Sequence, residues 1–117
     1  MESREVMRLL VLVLNKVECL DSLLEEWFKN DIRGATILNS RGMAQSLSEH
    51  SDIGFFSSLR VLLNPDNKEN KTIFMVVEEE KIKLVSRIVD DVTGGLENPN
   101  TGILFTLPIE NVKGMKK

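Results

Sequence analysis

Two stretches of this sequence repeat one plan, and the repetition restricts the fold more than any single motif does. Met7 to Leu14 is aliphatic almost throughout and includes two valines, the composition of a strand buried on both faces. From Val17 the period changes. Val17, Leu20, Leu23, Leu24, Trp27 and Phe28 fall on one helical face, leaving Glu18, Asp21, Glu25, Glu26 and Lys29 for solvent. Asn30 and Asp31 close that helix, and Gly34 leads into a second strand, Ala35 to Ser40. The plan then recurs. Thr72 to Val77 is the strongest strand signal, followed by Glu78, Glu79 and Glu80, where negative charge suits a helix N-terminus. Ile82, Val85, Ile88, Val89 and Val92 give the second helix its stripe, Gly94-Gly95 ends it, and a last strand, Ile103 to Leu107, stops at Pro108.

The order β-α-β, connection, β-α-β is the split βαβ pattern of α+β ferredoxin-like domains, with two helices on one face of an antiparallel sheet. At 117 residues the chain suits one domain, residues 1–117. The sheet's other face would then be apolar and uncovered, which points to oligomerisation, and a trimer is expected. The connection over residues 41–71 is long for so small a domain. Within it Ser46 to Asp52 is polar, whereas Ile53, Phe55, Phe56, Leu59, Val61, Leu62 and Leu63 read as a short helix or strand extension packed on a partner surface. Asn64-Pro65-Asp66-Asn67 supplies a turn.

Composition narrows the function. A net charge of -3 and a pI near 5.2 give no general attraction for phosphate backbones, so nucleic acid is not an expected partner. A single cysteine, Cys19, cannot form an internal disulfide and suits a reducing compartment, hence a cytoplasmic expectation. The apolar run from Leu9 leads into Glu18 and Asp21 with no small-residue cleavage site, so it reads as a strand rather than a signal peptide. No stretch reaches the roughly 20 apolar residues of a membrane helix, and any membrane role would come through a partner. One histidine, His50, is too few for a hydrolytic triad or a histidine-rich metal centre, and it reads as an exposed loop residue. The acid run at Glu78 reads as helix-dipole pairing rather than a metal site. No catalytic residue and no metal site is therefore assigned, and the chain reads as a non-enzyme. Asp90 and Asp91 stand out because acids near a helix C-terminus oppose its dipole, and either pairing across a subunit interface or a hydrated surface pair would explain them.

Two segments carry a resemblance. Gly34-Ala35-Thr36-Ile37-Leu38-Asn39-Ser40-Arg41-Gly42-Met43-Ala44-Gln45 resembles the second strand of nitrogen-regulatory P-II signalling proteins, where a G-x-T-hydrophobic run leads through R/K-G-F-G into the regulatory T-loop. Thr93-Gly94-Gly95 before Ile103-Leu104-Phe105 looks like the family's T-G turn, B-loop and final strand. The resemblance implies a homotrimer with an adenine nucleotide in each inter-subunit cleft, a T-loop-like connection at 41–71, and regulation of a transporter or metabolic enzyme. It places the site at Thr36, Gly42, Met43, Ala44 and Gln45 of one subunit, meeting Thr93, Gly94, Gly95, Leu96, Asn98 and Gly102 of the next, with Lys113 near the C-terminus. Thr36 would offer a hydroxyl to an adenine edge, Gly42 a close approach, and Gly94-Gly95 an anion-accepting turn.

The departures matter as much. Family members carry G-D-G-K in the B-loop, whereas Glu97 to Gly102 is longer and lacks that lysine. Paired arginines near the C-terminus are replaced by Lys113, Lys116 and Lys117, which lack the bidentate fork. AMP or ADP is therefore expected ahead of ATP. Gln45 stands one position from the glutamine that holds magnesium and 2-oxoglutarate, and Ser46 occupies its place, so that sensing function is not carried over. With no tyrosine in the sequence, control by tyrosine modification is chemically impossible; serines such as Ser46, Ser48, Ser51, Ser57 and Ser58 remain. Two other readings share the pattern: a structural or protein-binding trimer similar to divalent-cation-tolerance proteins, without nucleotide, and a dimeric-barrel enzyme.

Overall fold

The computed structural model describes residues 6–43, 46–47 and 69–115. Strand β1 spans Met7–Leu14, and a 3-10 turn at Val17–Cys19 opens helix α1, Leu20–Lys29. Strand β2 is Thr36–Ser40 and β3 is Asn70–Glu78. A second 3-10 turn, Glu79–Lys81, opens helix α2, Ile82–Thr93, and β4 is Gly102–Pro108. The four strands form one antiparallel sheet in the order β2-β3-β1-β4. This is an α+β, ferredoxin-like arrangement.

The pleat sorts the side chains. Leu10 and Leu12 of β1 lie opposite Met75 and Ile73 of β3, and these residues, with Leu14 and Val77, are buried under the helices. α1 contributes Leu23 and Trp27 to that layer, and α2 contributes Val85, Ile88 and Val89. The Trp27 indole N–H points at the Val85 carbonyl at 3.4 Å, so the largest core side chain has a polar partner on the other helix. No buried side-chain nitrogen or oxygen among the described residues lacks a partner.

The other face carries a second apolar layer that no other described element covers. Register puts Leu9, Val11 and Val13 of β1 beside Phe74 and Val76 of β3 and Ile103, Phe105 and Leu107 of β4. The β1 and β3 members are half-buried, and the three from β4 are exposed. Among the described residues β1 is thus fully buried on one face and half-buried on the other, rather than buried on both.

Three local differences from the sequence reading have physical causes. β3 begins at Asn70 rather than Thr72, because the Asn70 side chain is buried and bonded to Asn15 and Ser40, which holds the preceding two residues in the sheet. Phe28, placed on the apolar stripe of α1, is 61% exposed, and the Arg33 guanidinium lies 4.7 Å from its ring centre. Glu79 does not sit in the first α-helical turn but in the 3-10 turn ahead of it, where it pairs with Arg8 at 2.7 Å. His50, the hydrophobic run from Ile53 to Leu63 and the Asn64 turn lie outside the described residues.

Gly102 is required by packing. Its φ is +156°, and a Cβ there would stand 2.6 Å from the Val13 carbonyl oxygen and 3.4 Å from the Leu14 Cα, with no flexible atom able to move aside. Gly102→Ala is expected to destabilise the fold by about 1–3 kcal/mol, read as a lower urea midpoint with an unchanged slope. An unchanged midpoint would mean that β4 can pull away from β1 at no cost.

Candidate functional site

Antiparallel pairing brings the exit of β2, the start of β3, the exit of β1 and the start of β4 to one end of the sheet. Gly42 and Met43, just past β2, and Gly94 to Gly102, leading into β4, lie there at opposite edges. β2 and β4 are separated by β3 and β1, so three strand spacings, about 14 Å, part them within one chain. Thr36 stands further up β2, exposed, opposite Phe74 on the uncovered face. Gly42 is half-buried, and its carbonyl accepts the Ser46 N–H at 3.0 Å, so the chain turns helically just past β2. Met43 is 78% exposed. Ala44 and Gln45 lie outside the described residues.

At the other edge, Thr93 ends α2 fully buried, and its hydroxyl donates to the Val89 carbonyl at 2.7 Å. Gly94 and Gly95 follow with φ of +89° and +115°, a left-handed stretch that reverses the chain at the helix C-terminus. The backbone donors of Gly94, Gly95 and Leu96 are spent internally. Gly94 N–H goes to the Asp90 carbonyl at 2.9 Å, Gly95 N–H to the Thr93 hydroxyl at 3.2 Å, and Leu96 N–H to the Asp90 carboxylate at 3.0 Å. Asn98 donates its own N–H to the Gly95 carbonyl at 3.1 Å and its side-chain amide to the Gly94 carbonyl at 2.9 Å.

That pattern corrects two expectations. Gly94-Gly95 does not stand open as an anion-accepting turn, since its N–H groups already have acceptors. Asp90 does not need a subunit interface to offset its position, because its carboxylate bonds the Leu96 amide six residues on. The φ at Gly95 has a further consequence. A valine there is strained whether or not a ligand binds, so a glycine-to-valine change at this position does not test ligand contact. Lys113 is exposed in the segment after β4, two residues beyond Asn111.

Two residues missed by pattern reading belong to this end of the sheet. Lys16 reaches across to the Thr93 carbonyl with its ammonium at 2.8 Å, placing a cation where the helix dipole is negative. Asn15 accepts the Asn70 side-chain amide at 3.3 Å, and the N–H groups of Asn15 and Lys16 both donate to the Thr101 carbonyl, at 3.0 and 3.1 Å. Ser40 closes the chain of bonds by contacting the Asn70 side chain and, at 2.7 Å, the Thr72 hydroxyl. A polar belt thus runs from the exit of β2 to the turn after α2. Its partners lie 30 to 86 residues apart in sequence, beyond the reach of local spacing.

A concavity of about 490 Å³ lies at the other end of the sheet, lined by Ile32, Arg33, Met75, Val77, Lys81 and Met115 among others. It includes none of the expected site residues. Among the described residues no cluster of three His, Cys, Asp or Glu side chains is placed to hold a metal ion, and no helix is long and apolar enough to cross a membrane.

No family model matches the chain, and no curated protein matches it in sequence. Solved structures do match in fold. A functionally unknown protein from Pediococcus pentosaceus ATCC 25745 superposes with a TM-score of 0.64 over 96% of this chain and 100% of that one, at 16% identity. PII from Arabidopsis thaliana, in a crystal structure bound to citrate, superposes with a TM-score of 0.62 over 90% of this chain and 78% of that one, at 14% identity. At such identities the likeness is one of fold, and the fold is P-II-like.

Proposed function

We propose that this chain is a divergent P-II-like signalling protein, one domain over residues 1–117, that works as a homotrimer and regulates a transporter or metabolic enzyme. It binds a small effector, an adenine nucleotide, in clefts between subunits, and the connection over 41–71 serves as the T-loop that meets the partner. It acts in the cytoplasm and performs no catalysis. The carrying observation is that β2 and β4, which lead out of and into the two proposed site halves, stand at opposite edges of the sheet, which supports a cleft closed by a neighbouring copy. The apolar face left open by the described elements supports the same assembly, since a neighbouring copy would bury it. The fold shared with the Arabidopsis protein supports the class, and the citrate in that structure is a precedent for a small anionic ligand on this fold.

AMP or ADP is the expected effector rather than ATP, because the family's lysine and arginine clamps are missing. Calorimetry against AMP, ADP and ATP with magnesium tests this, with the mono- or diphosphate expected to bind more tightly. Tighter binding of magnesium-ATP than of both others would reverse the assignment. The self-satisfied turn after α2 favours a second reading, a protein-binding trimer without nucleotide, similar to divalent-cation-tolerance proteins. Heat of binding from no adenine compound would select it.

A further inference from the structure

We propose that Asp90 is a specificity-determining residue, an internal anion that fills the turn after α2 and makes it reject ligand phosphate. The inference rests on the adenine-nucleotide reading and deepens it by naming what limits the phosphate count. A turn of this kind can hold an anion only if its amides point outward with nothing on them. Here the Gly94 and Gly95 amides fold back on the Asp90 carbonyl and the Thr93 hydroxyl, and the Leu96 amide carries the Asp90 carboxylate at 3.0 Å. A phosphate would therefore meet occupied donors and a like charge together.

The setting makes that charge count. Asp90 lies three residues before the last residue of α2, Thr93, where the terminal carbonyls already give a negative pole. Lys16 supplies a cation beneath the turn, but its ammonium is engaged with the Thr93 carbonyl at 2.8 Å. Glu97, next along the loop, is exposed and adds a second negative charge. The end of the ligand that approaches this turn is thus selected for low negative charge, and each added phosphate weakens binding.

Two variants of the full chain separate the effects. Asp90→Asn keeps an oxygen acceptor for Leu96 but removes the charge, whereas Asp90→Ala also frees the Leu96 amide. The probe is inorganic tripolyphosphate, which has no adenine, followed through the amide resonances of Gly95 and Leu96. The parent is expected to bind only weakly, and Asp90→Asn to bind roughly five- to tenfold more tightly than the parent, with the gain shrinking at high salt. Asp90→Ala should gain further. Equal tripolyphosphate binding by parent and both variants, or none by any of them, overturns the proposal. Asp90→Asn retains the local hydrogen bond, so it decides the matter even if Asp90→Ala fails to fold. In parallel calorimetry the ratio of ATP to AMP dissociation constants should fall about tenfold in Asp90→Asn. If no adenine compound binds any variant, the nucleotide reading fails while the tripolyphosphate comparison still judges Asp90.

Discussion

Trp27→Ala is expected to lower the unfolding free energy by about 3–5 kcal/mol, a large share of the 5–15 kcal/mol that a small domain commands. Trp27 is 1% exposed, and its ring sits where α1, α2 and the sheet meet. Truncation would leave a cavity lined by side chains held on three rigid elements, and it would remove the indole N–H bond to the Val85 carbonyl. Phe28, the next residue, is the internal control. At 61% exposure, its replacement by alanine removes a ring that rests mainly on Arg33, and the cost should stay within about 1 kcal/mol. Urea unfolding followed by far-ultraviolet circular dichroism, at one fixed protein concentration, measures both. Similar losses from the two variants would mean that the core is not centred where the burial places it.

That pair of neighbours also shows what the sequence could and could not convey. Periodicity put Trp27 and Phe28 on the same stripe because a helix of 3.6 residues per turn sets them 100° apart, and a wide stripe includes both. Which of them faces the core depends on how α1 sits against α2, a tertiary fact that one helix's pattern does not contain. The strands were legible for the opposite reason. A period of two leaves no ambiguity once one face is buried, and β1 runs over Met7–Leu14 as its composition implied.

The candidate site was legible only as far as backbone conformation goes. Glycine at positions 94, 95 and 102 signals positive φ, and all three have it. Sequence alone does not tell a glycine that approaches a ligand from one that approaches its own chain. Gly102 belongs to the second kind, since the Val13 carbonyl occupies the space. The bonds of Asp90, whose position alone stood out, and of Lys16 escaped for a different reason. One residue is a helical acid bonding an amide beyond its own helix, and the other contacts a carbonyl 77 residues away, and neither contact leaves a trace in spacing.

Val11→Asp is expected to convert the proposed trimer to a monomer while leaving the ferredoxin-like fold in place. Val11 sits mid-strand on the uncovered face, directly opposite Phe74 of β3 on one side and Phe105 of β4 on the other. Its side chain points away from the layer formed by Leu10, Leu12 and Trp27, so a carboxylate there does not enter the chain's own core. In a monomer the aspartate would be tolerated in water. In an assembly that buries this face it would be stranded between two phenylalanines with no cation drawn from the strands beside it, at a cost of several kcal/mol per subunit. A loss of about 3 kcal/mol per interface corresponds to a weakening of more than 100-fold, enough to dissociate an ordinary trimer at micromolar concentration. Light scattering is expected to give three times the 13.3 kDa chain mass for the parent and the single-chain mass for the variant, with matching circular dichroism spectra. A parent already monomeric would remove the assembly on which the inter-subunit cleft depends. A variant that stays trimeric would move the interface off this face, to the sheet edges at β2 and β4.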